Sequence, residues 1–285
     1  MKPAAFQYHA PKTVEQAVEI LAEVATEDGR VLAGGQSLVP IMAFRLARPA
    51  HLVDINGIDS LASLAVKGGQ MAIGACIRHA AFHSPVVEGP LGSLLTTVVR
   101  HIAHHPIRTR GTFCGSIAHA DPASEWCTVA ATLDAEIVLR STRGSRAVAA
   151  KDFFTGIMTT VREDDELLTE VRIPLMAADA RFGFCEFSRR AGDFALGMAL
   201  VTYRMVNGSI VEPHVGIGGA EARPRRIAEA ETVLVGQAPV DAVFAAAADA
   251  AAAAIDPIED FHTSGRYRRD LLRVMTRRAL ERAAA

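Results

Sequence analysis

Apolar residues recur every three or four positions near the start of the chain, which predicts an amphipathic helix. This helix begins at a capping-box pair, Thr13 and Gln16. An apolar run into Gly34–Gly35, a short helix through 41–46 and a strand at 52–55 follow it. Their order predicts a compact βαβ unit, which usually needs about 30 residues or more.

The middle of the chain combines strand-like and helix-like patterns. Gly68–Gly69 separates two apolar runs and predicts a hairpin. The predicted strands are 64–66, 71–73, 137–139 and 167–173, and the predicted helices are 91–102 and 126–133. Residues 174–179 read as a linker, after which the pattern changes.

Three long strand-like runs form the third part of the chain, at 182–187, 195–206 and 210–217. Three helical patterns follow them to the C-terminus. Strands followed by helices indicate an antiparallel sheet that carries helices, an α+β arrangement.

Composition restricts the class of protein. Half of the 285 residues are apolar and the net charge is −2, which is typical of a globular protein. A general nucleic-acid binder would carry a basic surplus, so we expect no nucleic-acid partner. No apolar stretch reaches the ~18 residues of a membrane span and residues 1–9 lack the apolar core of a secretory signal, so we expect a cytoplasmic location.

The cysteines exclude a locally encoded metal motif. Cys76, Cys114, Cys127 and Cys185 are spread out, with no C-x-x-C pair for a zinc ribbon or an iron–sulfur cluster. We therefore expect buried, free thiols, and any redox centre on this chain to be organic.

Two glycine-containing segments are candidate anion sites. In the first, residues 33–38, two glycines lie between a strand and a helix start, where backbone amides bind phosphate well. In the second, residues 110–122, small and hydroxyl residues lead into a helix that Asp121 is predicted to cap, with Pro122 in its first position. With Ser37, Thr112 and Ser116 as hydroxyl donors, the two segments would suit a dinucleotide.

Other candidate sites have weaker support. His101, His104 and His105 have helical spacing, but H-E-x-x-H is absent and the histidines serve equally well as hydrogen-bond donors. Residues 216–220 resemble a dinucleotide fingerprint, but Glu221 occupies its third glycine position, which favours a turn. Neither a P-loop nor a G-x-S-x-G motif occurs.

Arginines are concentrated in two places. Arg189–Arg190 would hold either a phosphate or a neighbouring carboxylate. The last helix carries seven arginines around an apolar stripe, and it would present either a solvated face or a docking face for an acidic partner. These arginines are Arg266, Arg268, Arg269, Arg273, Arg277, Arg278 and Arg282, and the stripe is Tyr267, Leu271, Val274 and Met275.

Four ordered motifs carry a family resemblance: AGGQSL at 33–38, RTRGTFCGSIAHADPASE at 108–125, DELLTEVRIP at 165–174 and SRRAGDFA at 188–195. The chain resembles, over essentially its whole length, the FAD-binding medium subunit of molybdenum hydroxylases of the xanthine, carbon monoxide, quinoline, nicotine or caffeine dehydrogenase type. The resemblance implies an α+β fold. It consists of a two-lobed FAD-binding domain of the PCMH/VAO-like type, with lobes 1–56 and 57–176, and a C-terminal α+β domain of the CO dehydrogenase flavoprotein type, 177–285.

The resemblance also implies the cofactor contacts. The first segment supplies Ala33, Gly34, Gly35, Gln36, Ser37 and Leu38, and the second supplies Thr112, Cys114, Gly115 and Ser116. Ile102 would lie against the isoalloxazine, and Ala103, Glu125 and Leu168 would be further cofactor contacts. Departures from the family pattern are Cys114 for a glycine, Ser116 for asparagine and Glu186 for a common lysine. No catalytic acid or base and no metal ligand is implied on this chain.

By the same resemblance, the chain carries FAD and transfers electrons. A small partner subunit would hold two two-iron, two-sulfur clusters, and a large one would hold the molybdenum cofactor that hydroxylates a small, N-heteroaromatic substrate. A dimer of such heterotrimers is expected. Two alternatives stay open: a stand-alone flavin oxidoreductase with its own substrate pocket, and an interaction subunit without flavin.

Overall fold

Three main sheets and the helices around them form the protein in the computed structural model, which describes residues 2–261 and 263–285. The helices are α1 (Val14–Val24), α2 (Leu38–Ala43), α3 (Pro90–Val98), α4 (His105–Arg108), α5 (Phe113–His119), α6 (Glu125–Thr132), α7 (Ala150–Phe153), α8 (Ala228–Leu234), α9 (Asp241–Ala254) and α10 (Gly265–Ala284). The strands are β1 (Gln7–His9), β2 (Gly29–Leu32), β3 (His51–Asp54), β4 (Leu64–Lys67), β5 (Gln70–Gly74), β6 (Glu136–Ser141), β7 (Gly144–Ala149), β8 (Phe154–Gly156), β9 (Thr159–Thr160), β10 (Leu167–Pro174), β11 (Arg181–Phe187), β12 (Gly197–Val206), β13 (Ser209–Gly218) and β14 (Arg225–Arg226).

The first sheet has the order β1-β3-β2 with both pairs parallel. Helix α1 begins where predicted, because the Gln16 N–H donates to Thr13 Oγ1 at 3.2 Å and the Gln16 side chain accepts from the Lys12 N–H at 2.8 Å. Its apolar face is buried, as its 3.6-residue periodicity predicts. Strand β1 was missed because it is only three residues long and lacks an apolar pattern.

The second sheet is antiparallel in the order β4-β5-β10-β6-β7. The predicted hairpin at Gly68–Gly69 is confirmed. Strand β7 was missed because most of its residues are exposed and it has no alternation of apolar and polar positions. Helix α6, whose residues are all buried, packs against α5 and against β12 and β13 of the third sheet.

Two glycines allow α6 to approach β13 closely. A Cβ on Gly216 would lie 1.7 Å from Thr132 Oγ1, and one on Gly218 would lie 2.1 Å from Thr128 Oγ1. No larger residue fits at either position. The glycine-rich segment that resembled a dinucleotide fingerprint is thus the end of a strand and a turn, and its glycines serve helix–sheet packing.

The third sheet has the antiparallel order β11-β12-β13-β14, as the long apolar runs predict. One face joins the core shared with α6, and helices α8, α9 and α10 cover the other. Burial on both faces explains why β12 is apolar without alternation. Within the described part of the chain, no helix is both long and apolar enough to cross a membrane.

Five of the seven arginines of α10 bond to other residues, namely Arg268, Arg269, Arg273, Arg277 and Arg282, while Arg266 and Arg278 lie on the exposed face. Arg268 is 4% exposed and donates to the carbonyls of Leu196 (3.0 Å) and Gly219 (2.6 Å) and to Asp260 Oδ2 (2.7 Å). Arg282 donates to the Phe184 carbonyl at 2.6 Å. These acceptors belong to distant parts of the chain, so helical spacing alone could not reveal them.

Arg268 is expected to be important for stability. The change Arg268→Leu removes donors from two carbonyls and a carboxylate, and we expect it to lower the free energy of unfolding by about 3 kcal/mol or more. The exposed Arg278 on the same helix provides the matched control, Arg278→Leu, which we expect to change stability by less than about 0.5 kcal/mol. Urea unfolding of both variants measures the difference, and equal losses would contradict the assignment.

Candidate functional site

A cleft of about 320 Å³ lies between the β2–α2 loop and the start of α5. Its size is in the range of small-molecule and cofactor sites. Predicted site residues that line it are Ala33, Gly34, Gly35, Gln36, Ser37, Leu38, Thr112, Cys114, Gly115, Ser116 and Leu168. The structure thus brings together both glycine-containing segments, which are far apart in the sequence.

The two segments touch through their backbones. A Cβ on Gly34 would lie 2.5 Å from the Arg110 carbonyl oxygen and 2.6 Å from Gly111 Cα. Gly35 has a φ of +70°, a left-handed conformation that favours glycine. Any side chain at Gly34 would push the segments apart, so this contact sets the width of the cleft.

Two polar residues that the sequence did not single out connect the segments. Asn56 Nδ2 donates to the Ala33 carbonyl at 2.7 Å. Arg78 donates to Asn56 Oδ1 at 2.5 Å and also to the Arg110 carbonyl. One guanidinium therefore joins both sides of the cleft. The signal was absent from the sequence because Asn56 and Arg78 belong to no recognisable motif.

The second segment is largely helical. Thr112 caps α5, since its Oγ1 accepts from the Gly115 N–H at 3.0 Å. Helix α6 begins only at Glu125, so the prediction that Asp121 caps it was wrong. Asp121 Oδ1 accepts instead from the Ala123 N–H at 2.8 Å, in a turn between the two helices. Glycine, cysteine and serine have low helix propensities, so the sequence pattern did not predict α5.

Cys114 fits its position without strain because it lies inside α5, where φ is negative. Its thiol is buried, donates to the Ile73 carbonyl at 3.3 Å, and has its pKa raised by that burial. The other three cysteines are also buried and free, which confirms the prediction. Cys114 is therefore a packing residue and a poor nucleophile.

The acidic turn before β10 borders the cleft and is preceded by Arg162. Arg162 lines the cleft and donates to the carbonyls of Glu163 (2.6 Å) and Glu166 (2.9 Å). Glu166 also lines the cleft, but its carboxylate is paired with Arg146 at 2.6 Å. Burial lowers the pKa of Arg162, yet a guanidinium stays charged at neutral pH. The cleft therefore has a partly buried positive charge.

Ile102, Ala103 and Glu125 do not line this cleft. The carbonyls of Ile102 and Ala103 accept from Arg108 at 2.7 and 2.8 Å, and Ala103 has a left-handed φ of +41°. Glu125 is buried at the start of α6. Glu186 interacts electrostatically with it and has a side chain that is 4% exposed.

The surroundings of Glu125 and Glu186 raise the pKa of both carboxyls and so favour their protonated forms. Glu186 Oε2 has no hydrogen-bond partner in the described residues, and His101 Nδ1 lies 3.8 Å from it. Burial raises the pKa of Glu186, and the nearby Glu125 carboxyl raises it further. Burial likewise raises the pKa of Glu125, with a smaller contribution from Asp121. An uncharged acid pair is the expected state at this place between α6 and the third sheet.

The side chains of the three histidines in the candidate metal pattern contact different residues. His101 packs edge-on against Phe184, His104 lies against Gly192, and His105 stacks on His83 with ring centres 6.5 Å apart. Across residues 2–261 and 263–285, no group of three or more histidine, cysteine or acidic side chains is arranged to hold a metal ion.

A cleft between two glycine-containing segments, each of which leads into a helix, is typical of proteins that bind an extended nucleotide cofactor. Two family models specify the class further. Residues 4–176 match the FAD binding domain in molybdopterin dehydrogenase, and residues 182–283 match the CO dehydrogenase flavoprotein C-terminal domain. The chain belongs to this family of FAD-binding subunits of molybdopterin dehydrogenases, and it is an oxidoreductase subunit.

Relatives cover the whole chain. It is 36% identical to the nicotine 6-hydroxylase medium subunit of Paenarthrobacter nicotinovorans, over 100% of this chain and 99% of that one. Its fold matches a carbon monoxide dehydrogenase from Hydrogenophaga pseudoflava with a TM-score of 0.95 and 35% identity, over 100% and 99% of the two chains. Quinoline 2-oxidoreductase from Pseudomonas putida 86 gives a TM-score of 0.92 and 35% identity, over 100% and 98%. The predicted family and fold class are confirmed.

The buried acid pair predicts a pH dependence of stability. Because their pKa values are raised above the ordinary 4.5, the folded protein keeps protons that the unfolded chain releases above pH 4.5. The free energy of unfolding should therefore fall as pH rises from about 4.5 to 9, by at most about 1.4 kcal/mol per pH unit for each retained proton. We expect Glu186→Gln to reduce this slope, measured by urea unfolding across that range. The exposed Glu19→Gln is the control, and an unchanged slope in Glu186→Gln would contradict the protonated state.

Proposed function

We propose that this chain is the FAD-carrying electron-transfer subunit of a heterotrimeric molybdenum hydroxylase. FAD supplies one- and two-electron redox chemistry when bound. The chain would connect iron–sulfur clusters on a small partner to an external electron acceptor. Hydroxylation of a small, N-heteroaromatic substrate would take place at a molybdenum cofactor on a large partner.

One observation supports the cofactor site. The backbones of Gly34 and Arg110–Gly111 are in close contact, and beside this contact lies a cleft lined by both predicted segments. A pyrophosphate needs close backbone approach, amide and hydroxyl donors, and positive charge. The cleft offers glycines on both sides, the hydroxyls of Ser37 and Ser116, and the guanidinium of Arg162. These residues fit an FAD pyrophosphate.

The predicted flavin contacts outside the cleft, Ile102, Ala103 and Glu125, stay proposals. Ile102 and Ala103 follow α3 in the chain, and Glu125 is the first residue of α6, where it interacts electrostatically with Glu186 of the third sheet. We propose that the lobes 1–56 and 57–176 hold the cofactor and that 177–285 form a separate α+β domain. Each range contains one of the three main sheets, which supports this division.

The names of relatives support the partner subunits. Medium chains or medium subunits are named for carbon monoxide dehydrogenase, nicotine 6-hydroxylase and glyceraldehyde dehydrogenase. A medium chain implies a larger and a smaller companion. These relatives are similar chains whose names refer to different substrates. We therefore propose that a partner subunit determines the substrate. A dimer of heterotrimers and a cytoplasmic location belong to the same proposal.

Gly35→Asp tests the cofactor site. The substitution places a carboxylate at the glycine turn of the cleft, where it would repel a pyrophosphate, and we expect loss of bound FAD from a folded chain. Gly68→Asp is the matched control because Gly68 also has a positive φ, of +56°, and no atoms lie near its Cβ position. Flavin absorbance per chain after purification is the measurement. Full FAD retention in Gly35→Asp would show that the cleft is not the site.

Purification from the native source tests the electron-transfer role. We expect the chain to copurify with two partners and with molybdenum, iron and flavin. A chain that runs alone and oxidises a substrate without molybdenum would establish the stand-alone flavin oxidoreductase instead. Copurification with partners but without flavin absorbance would establish an interaction subunit. Size-exclusion chromatography with metal analysis distinguishes the three outcomes.

A further inference from the structure

His79 is a buried polar residue at the wall of the cleft to which neither the motifs nor the comparisons assign a role. It begins a short 3₁₀ helix, His79–His83, and is 4% exposed. Its backbone N–H donates to the Gly111 carbonyl at 2.9 Å, which anchors it beside the segment contact. Its side chain lines the cleft.

Trp126 determines which ring nitrogen of His79 carries the proton. The indole Nε1 lies 2.9 Å from His79 Nδ1, and both side chains are buried. An indole N–H is only a donor, so Nδ1 must be the acceptor. A neutral imidazole that accepts at Nδ1 carries its proton at Nε2.

The Nε2 side of the ring faces away from Trp126 and towards the second segment. A Cβ on Gly111 would lie 2.6 Å from His79 Nε2, so the missing side chain leaves room for this nitrogen at the cleft wall. With Nδ1 bonded to α6, the Nε2–H is the polar group of His79 that remains for a ligand. No hydrogen bond from Nε2 to another described residue occupies it.

The surroundings keep His79 neutral. The pKa of His79 is lowered to about 4. Burial is the main cause, and the positive charges of Arg108 and Arg78 contribute to the same shift. No acidic side chain contributes to this shift, and Trp126 of α6 is uncharged. The ring therefore offers the same single donor throughout the neutral pH range.

We propose that His79 Nε2–H donates a hydrogen bond to an oxygen of the FAD held in the cleft, and that Trp126 is the positioning residue that keeps the proton on Nε2. This inference rests on the proposed cofactor site. A purely structural role would make His79 only an acceptor for Trp126. The two roles differ in whether a change at Nε2 alters the affinity for FAD.

Binding of FAD separates these roles. The full-length protein, with any partner chains that it retains, is freed of FAD and titrated with FAD while flavin fluorescence is followed. We expect His79→Leu to raise the Kd about tenfold, and His79→Gln, which keeps an N–H donor, to raise it by no more than about threefold. His83→Leu, on the same 3₁₀ helix but outside the cleft, should leave the Kd unchanged. The effect of His79→Leu should not vary between pH 6 and 8.

The results distinguish two failures. If the wild type binds FAD and His79→Leu binds it equally well, the role of His79 is wrong and the cofactor site stands. If the wild type binds no FAD, the proposed function and this inference are both wrong. Circular dichroism measures whether each variant is folded. If His79→Leu does not fold, the test relies on His79→Gln.

The tautomer has a readout independent of affinity. In long-range ¹H–¹⁵N spectra of the full-length wild type we expect His79 to be neutral with its proton on Nε2, and the Nε2 resonance to move when FAD is added. Trp126→Phe removes the indole donor and should give a mixture of tautomers and weaker FAD binding. A proton on Nδ1 in the wild type would overturn the proposal.

Discussion

The contact between Gly34 and Arg110–Gly111 is the constraint on which the cleft depends. Because neither side has a Cβ there, two backbones approach more closely than side chains would allow. Arg78 and Asn56 then hold the segments at this separation by hydrogen bonds to both. Where the two segments meet, the cleft wall is consequently main chain, and backbone amides suit an anionic cofactor.

A second close approach connects the cleft to the third sheet. Helix α6 packs on Gly216 and Gly218 of β13, while its Trp126 reaches His79 at the cleft wall. The same helix carries Glu125, which interacts with Glu186 of β11. The buried helix α6 therefore contacts both the third sheet and a residue at the wall of the proposed cofactor site.

Two of the three departures from the family pattern, Cys114 and Glu186, have different consequences. Cys114 lies within a helix and packs against Ile73, so it replaces a glycine at no conformational cost. Glu186 stands where a lysine is common and has a buried carboxyl. One oxygen of this carboxyl, Oε2, has no hydrogen-bond partner among the described residues. Keeping that group protonated avoids a buried charge. Of the two, Glu186 is the one that alters the electrostatics near the predicted flavin contacts.

The sequence by itself determined the order of elements, the helical face of α1, the long strands of the third sheet and both glycine-containing segments, because periodicity and glycine turns are local properties. Only the tertiary structure decided that Phe113–His119 forms a separate helix, that Arg268 is buried, that Arg78 and Asn56 connect the two segments, and that His79 lines the cleft. Their partners are distant in sequence, and hydrogen bonds to backbone carbonyls leave no pattern in the residues that accept them. Family motifs indicated the ligand, and packing determined the geometry of its site.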